Sequence, residues 1–300
     1  MDPSDIRNLL NSYLERCKLV YPQAAKHNQF EASCVAEAIR RGYIVDENDI
    51  LKRYISVGVS IACNAYRHQS HDIQVFISLF TAFLTYLDDS YEKNTTQPFN
   101  HRFITGDRQN DILLDHLRDL LFEMPSMFGS VESNIITTAV LDFVTSLSID
   151  HEFEKVKLEP SSHQFPAFVR AMSGIANAYA LFIFPPELPL TWKLQVLPDC
   201  GMFINYTNDI LSFYKEQLSG EEANVVSLIS QCRGIGPDIA LGELTDEATA
   251  AHSRVLDILA PNSVALEAYK SFSQGYVGFH ASDERYRLHE LGMEPTQRHT

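Results

Sequence analysis

From Ile73 to Leu87 the apolar residues recur at intervals of three and four rather than two, which is the period of a helix. Phe76, Phe80, Phe83 and Leu87 form one stripe, and Ile77, Leu79 and Leu84 cover much of the remainder. A helix that is apolar nearly all round is a central one, covered by its neighbours, so the phenylalanine stripe reads as core. Similar periods run near residues 5–20, 28–41, 47–67, 108–123, 131–150, 164–183, 190–217, 222–232, 237–260 and 264–288. Pro125, Pro185, Pro186, Pro189, Pro198 and Pro261 punctuate them. Alternating runs bounded by turn residues are nearly absent. The pattern predicts an all-α chain of about ten or eleven helices, with no repeat and no Gly/Ser-rich linker to divide it.

Composition narrows the function classes. Of 300 residues, 45% are apolar, enough for a sizeable core. Asp and Glu number 39 against 24 Lys and Arg, a formal charge of −15. That balance excludes a constitutive nucleic-acid binder, which needs a cationic footprint, and a surface that docks on anionic lipid. An acidic chain can still handle an anionic ligand when divalent cations mediate. The five cysteines (Cys17, Cys34, Cys63, Cys200, Cys232) are odd in number and far apart, so free thiols in a reducing compartment are expected. The acidic start, Met1-Asp2-Pro3-Ser4-Asp5, lacks the form of a signal peptide. The longest apolar stretches, such as 178–186, are too short to span a bilayer. A soluble, cytoplasmic protein without stable membrane anchoring is expected.

Two acidic constellations then change the picture. Asp88-Asp89-Ser90-Tyr91-Glu92 closes the buried helix, with Asp88 and Glu92 four apart on one face. Three carboxylates beside an apolar helix are costly unless compensated, and hard divalent cations such as Mg²⁺ take oxygen ligands of this kind. The alternative is a solvated helix end. The second constellation is Asn208-Asp209-Ile210-Leu211-Ser212-Phe213-Tyr214-Lys215-Glu216. Asn208, Ser212 and Glu216 fall within about 80° of one helix face and span about 12 Å. Side chains lean toward the helix N-terminus, so Glu216 reaches back toward Asn208 and Ser212. An amide oxygen, a hydroxyl and a carboxylate can thus converge on one cation. At average residue usage this second pattern is expected roughly 0.002 times in such a chain, which sets aside an ordinary polar face.

On these residues the chain resembles a class I terpene cyclase, and in the triad string, Asp88-Asp89-Ser90 and Arg285-Tyr286 it is similar to the fungal trichodiene-synthase type. The resemblance covers about residues 50–290; the first ~45 residues share only helical character and read as a cap segment. It implies a single domain over 1–300, an α-helical barrel or bundle around a central cavity. It implies three Mg²⁺ ions bound by Asp88, Asn208, Ser212 and Glu216. Asp89 is then a residue that holds a basic group, and Glu92, where the family has Asp, need not ligate metal. Arg170, 38 residues before Asn208, matches the diphosphate-sensing arginine; Ser173 fills the linker position, and Gly174 is where the family breaks the helix and points a carbonyl at substrate. Lys215, Arg285 and Tyr286 are implied to bind phosphate oxygens. The chain is shorter than trichodiene synthases and stops 14 residues after Tyr286, which points away from trichodiene as product.

The implied reaction is Mg²⁺-dependent ionisation of farnesyl diphosphate, cyclisation of the carbocation and release of pyrophosphate. Helical spacing puts Thr81, Leu84 and Thr85 before Asp88 on its side, and Gly201, Ile204 and Asn205 before Asn208. These six are expected to line the pocket, with Phe182, Trp192, Tyr276 and Phe279 as candidate wall aromatics. The histidines, His151 and His163 among them, show no metal-ligand spacing and read as surface or satisfied core groups. A homodimer is compatible with the resemblance. Two alternatives remain open on sequence. One is a chain-elongating prenyltransferase, which would carry a second Asp-rich motif where this chain has its triad. The other is a non-catalytic helical binding protein, in which Asp88 and Asn208 need not face one cavity.

Overall fold

A computed structural model describes residues 1–300 except 24–26, 47, 92–95, 154, 155, 157, 222, 223, 294 and 296–300. Glu92 lies outside the described residues. Among those described, the chain forms thirteen α-helices and no strand. They are α1 (Pro3–Arg16), α2 (Asn28–Arg40), α3 (Lys52–Ala65), α4 (His71–Asp89), α5 (Phe99–Thr105), α6 (Ile112–Met127) and α7 (Ser130–Phe153). The second half holds α8 (Phe165–Ser173), α9 (Ala176–Leu181), α10 (Leu190–Ser219), α11 (Val225–Arg233), α12 (Pro237–Leu259) and α13 (Ser263–Ser282). Two short 3₁₀ turns, Glu284–Tyr286 and Leu288–Leu291, follow.

The differences from the sequence pattern have local causes. The seven-residue α5 is too short to show a period. The single helix expected over 164–183 is two, parted at Gly174 and Ile175, where Ile175 takes a left-handed φ of 50°. The last helix stops at Ser282 rather than near 288 because Asp283 turns to extended backbone and caps the first 3₁₀ turn. Pro125 and Pro198 do not punctuate: they sit inside α6 and the 30-residue α10.

Helix α4 is central, as its all-round apolar surface requires. Ser70 caps its start by accepting from the Ile73 amide, and Phe76, Phe80, Phe83 and Leu87 are all 1% exposed or less. Burying each of these phenylalanines contributes about 1.5–3 kcal/mol. Phe76 and Phe80 stack at 6.0 Å, and both pack edge-on against Phe182, with Phe128 completing the cluster at centroid distances of 5.4 and 5.7 Å from Phe182 and Phe76.

Helix α3 lies between α4 and α13, and glycines allow the close approach. A Cβ on Gly58 would fall 2.0 Å from the Ser78 carbonyl oxygen of α4. One on Gly275 of α13 would fall 1.9 Å from the Asn64 carbonyl oxygen of α3. Around this core α10 packs against α9 and α12, so α4 and α10 both border the interior cavity described below.

Because the Gly58 contact is to backbone, which cannot swing aside, Gly58→Ala must push α3 from α4. We expect a loss of about 1–3 kcal/mol, read as a lower midpoint in thermal denaturation by circular dichroism; an unchanged midpoint would refute the close packing of α3 on α4.

Candidate active site

A cavity of about 320 Å³ opens among α3, α4, α7, α8, α9, α10 and α13. Three helices end at it with a carboxylate in the last turns: Asp88 on α4, Asp150 on α7 and Glu216 on α10. A helix C-terminus carries partial negative charge, so each carboxylate sits where its own helix disfavours it. The structure shows the strain. Enclosure by protein raises Asp88 above its ordinary value, with Asp89 adding to it, against the pull of Arg285 and Lys215. Asp150 rises to about 6, through desolvation and then the Asp88 charge. Glu216 rises to about 7, chiefly through burial, with Glu221 adding to it. Asp88 and Asp150 are open to the cavity yet ringed by protein.

Arg170, in the last turn of α8, crosses to α10. Its Nε lies 2.8 Å from one Asp209 carboxylate oxygen and 2.9 Å from the other. Its Nη2 donates to the Asn205 carbonyl at 3.1 Å and to Asn208 Oδ1 at 3.0 Å. Burial would lower the guanidinium, but the Asp209 charge outweighs it and holds Arg170 above its ordinary value. Asp209 lines the cavity too, but its carboxylate is taken up by the arginine.

Gly174 follows on the cavity wall, and a Cβ there would fall 1.7 Å from Asn205 Oδ1. At the other end of the cavity Lys215 Nζ and Arg285 Cζ lie 5.8 and 5.6 Å from the Tyr286 ring centroid. The buried Tyr286 ring thus has two cations within about 6 Å of its centroid.

The floor is apolar: Leu84, Phe143, Leu147, Ile204, Tyr276 and Phe279 line it. Its few hydroxyls are engaged with one another. Thr81 Oγ1 and the Tyr179 hydroxyl are 3.0 Å apart, and Thr85 donates to the Thr81 carbonyl at 2.9 Å. A neighbouring cavity of about 520 Å³ shares Asp88, Leu147, Asp150 and Glu221 with this one.

Of the residues singled out by sequence, Asp88, Asn208, Glu216, Arg170, Gly174, Lys215, Arg285 and Tyr286 all line the main cavity. So do Thr81, Leu84, Thr85, Ile204, Asn205, Tyr276 and Phe279. Others do not. Gly201 faces α9, where a Cβ would meet Asn177 and Ala176. Phe182 belongs to the aromatic core, and Trp192 packs half-buried against the core. Asp89 points away from the cavity, exposed at the end of α4. Ser212 is buried at 1% exposure and does not line the cavity; its hydroxyl lies against Glu216, whose pKa it helps to lower.

The α10 face thus offers hard oxygen donors from Asn208, Ser212 and Glu216, and Asp88 faces the same cavity from α4. That donor set fits a hard divalent cation. Among the described residues no three His, Cys, Asp or Glu side chains lie close enough to hold an ion by themselves.

A family model described as trichodiene synthase (TRI5) matches residues 10–300. The chain belongs to the trichodiene synthase family, and it is a class I terpene synthase. The match begins at residue 10, so family character reaches well into the first 45 residues, beyond the region the motifs marked. Among curated relatives, alpha-cuprenene synthase COP6 of Coprinopsis cinerea is 30% identical over 292 residues, 96% of this chain and 90% of that one. Terpene synthase BipA of Cochliobolus sativus is 34% identical over 266 residues, 86% of this chain and 82% of that one. The linalool/nerolidol synthase of Streptomyces clavuligerus, solved in complex with 2-fluorogeranyl diphosphate, superposes with a TM-score of 0.64. It covers 86% of this chain and 99% of that one at 14% identity, which establishes the shared fold.

Within this terpene-synthase site the sequence motifs missed Asp150, Glu221 and Asn224, which also line the cavity. Asp150 stands outside any motif; its only local signal is an acid in the final turns of a long helix. The five cysteines are unpaired, and no helix among the described residues is long and apolar enough to cross a membrane.

The raised carboxylates predict a pH dependence of stability. Glu216 holds its proton up to about pH 7 when folded, but only to its ordinary value when unfolded. Between those values the folded state binds more protons, so raising pH through that window removes stability. With metal chelated, the thermal midpoint of the wild type is expected to fall from pH 5 to pH 7.5, and Glu216→Gln to flatten that fall. Equal slopes in the two proteins would contradict the raised value.

Proposed function

We propose that the chain is a Mg²⁺-dependent sesquiterpene cyclase that ionises farnesyl diphosphate, cyclises the carbocation and releases pyrophosphate. One observation carries the reading. The Asp88 end of α4 and the Asn208–Glu216 face of α10 border one cavity that Arg170, Lys215 and Arg285 also line and whose floor is apolar.

In this reading Asp88, Asn208, Ser212 and Glu216 hold the metal, three ions in all, with substrate phosphate oxygens completing their ligands. Asp89 lies away from the cavity and acts at most through a basic neighbour. Bound Mg²⁺ supplies Lewis acidity and neutralises charge on the leaving pyrophosphate.

The protein groups do the rest. Arg170, Lys215 and Arg285 donate charge-assisted hydrogen bonds to phosphate oxygens, and Tyr286 donates one more. Arg170 rests on Asp209 and Asn208, so phosphate competes for a guanidinium already aimed at the triad. Gly174 presents its backbone to the reacting end of the chain. The floor of Leu84, Phe143, Ile204, Tyr276 and Phe279 excludes water, and the ring faces stabilise a passing cation without reacting with it.

A prenyltransferase is disfavoured because α10 carries Asn, Ser and Glu where a second Asp-rich motif belongs. A purely binding role leaves the three strained helix-end carboxylates without a purpose. One domain suffices for the reaction, and the product is released as hydrocarbon.

Incubation with geranyl, farnesyl and geranylgeranyl diphosphates plus Mg²⁺, with products analysed by gas chromatography–mass spectrometry, is expected to give cyclic C15 hydrocarbon from the farnesyl substrate. Turnover of only the C10 or C20 substrate would overturn the sesquiterpene assignment, and metal-independent or absent product the whole reading.

Asp88→Ala and Asn208→Ala are each expected to cut turnover by about two orders of magnitude or more while far-UV circular dichroism stays unchanged. A variant that retains wild-type turnover removes its residue from the site.

A further inference from the structure

We propose that His280 is a positioning residue that fixes the amide of Asn208 with its oxygen turned toward the metal face of α10. The inference rests on the reading of Asn208 as a metal ligand.

His280 lies on α13, four residues after Tyr276, and is fully buried. Its Nδ1 is 2.8 Å from the Tyr276 carbonyl oxygen. A carbonyl only accepts, so Nδ1 carries the proton. A second ring proton would place a cation in an aromatic pocket with no carboxylate in hydrogen-bond contact, which is costly. The ring is therefore neutral, and Nε2 presents a lone pair.

That lone pair faces Asn208 Nδ2 at 3.2 Å. The amide nitrogen donates to it, which leaves Oδ1 on the opposite side, where Arg170 Nη2 donates to it at 3.0 Å. The flipped amide would set its NH₂ against the guanidinium donors and its oxygen against the Nε2 lone pair. Two favourable contacts would become two repulsive ones. The histidine and the arginine therefore select the same orientation from opposite ends.

The imidazole is itself held. Tyr286 and Tyr276 rings pack on it with centroids 4.4 and 4.7 Å away, and Phe279 adds a third contact at 5.0 Å. When Arg170 leaves Asn208 for a phosphate, the His280 bond still orients the amide, beside the Tyr286 hydroxyl that also meets Asn208. A metal ligand so oriented needs no rotation before it binds.

Two measurements test this. In wild-type protein without metal, ¹⁵N nuclear magnetic resonance of labelled histidine should show the His280 Nδ1 protonated and Nε2 unprotonated. A protonated Nε2 would overturn the inference without any variant. Second, binding of pyrophosphate in the presence of Mg²⁺ is followed by isothermal titration calorimetry. His280→Phe keeps a ring of similar size but removes the acceptor, and His280→Gln offers an amide oxygen in its place.

We expect about tenfold weaker binding in His280→Phe, partial recovery in His280→Gln, and no further loss when His280→Phe is added to Asn208→Ala. Wild-type affinity in His280→Phe, or an equal loss on the Asn208→Ala background, would overturn the proposal. Unchanged affinity in Asn208→Ala alone would instead refute the metal-ligand reading, which separates the two failures.

Discussion

Three carboxylates placed at the negative ends of three helices, around one cavity, are the constraint on which this structure turns. Asp88, Asp150 and Glu216 each meet the unfavourable pole of their own helix and are held above their ordinary pKa. A protein gains nothing in stability from such an arrangement. The nearby Arg170, Lys215 and Arg285 pull against the rise of these carboxylates but do not cancel it. The arrangement thus costs stability and gathers hard oxygen donors around one cavity.

The second organising interaction is the pairing of Arg170 with Asp209. A buried guanidinium needs a partner, and Asp209 supplies one from the helix that also carries Asn208 and Glu216. This ties α8 to α10 and keeps a cation pointed at the triad. The break at Gly174 and Ile175 follows directly after it, and Asn205 fills the space a side chain would need. The arginine, the helix break and the triad therefore form one unit rather than three separate motifs.

Much of this was legible along the chain. The period of three and four gave the all-α class, and the all-round apolar stretch before Asp88 marked the central helix. The spacing of Asn208, Ser212 and Glu216 identified one helix face. The limits were local. A helix as short as α5 has no period to read. Gly201 shares a wheel position with the pocket residues but is turned onto α9, because the α10–α9 contact occupies that sector. Phe182, a large aromatic near the site, went to the core with Phe76 and Phe80.

What the sequence determined by itself was the helical class, the identity of the oxygen donors and the grouping of those donors on two helices, because these depend only on residue type and a fixed helical repeat. Tertiary structure alone decided that the two helices border the same cavity and that Asp150 and Glu221 join them. It also decided that Ser212 lies off the wall and that His280 meets Asn208. Those facts depend on how close α3, α4, α10 and α13 can come, set by Gly58 and Gly275 and by the aromatic core, and no local spacing encodes a distance between residues 72 positions apart.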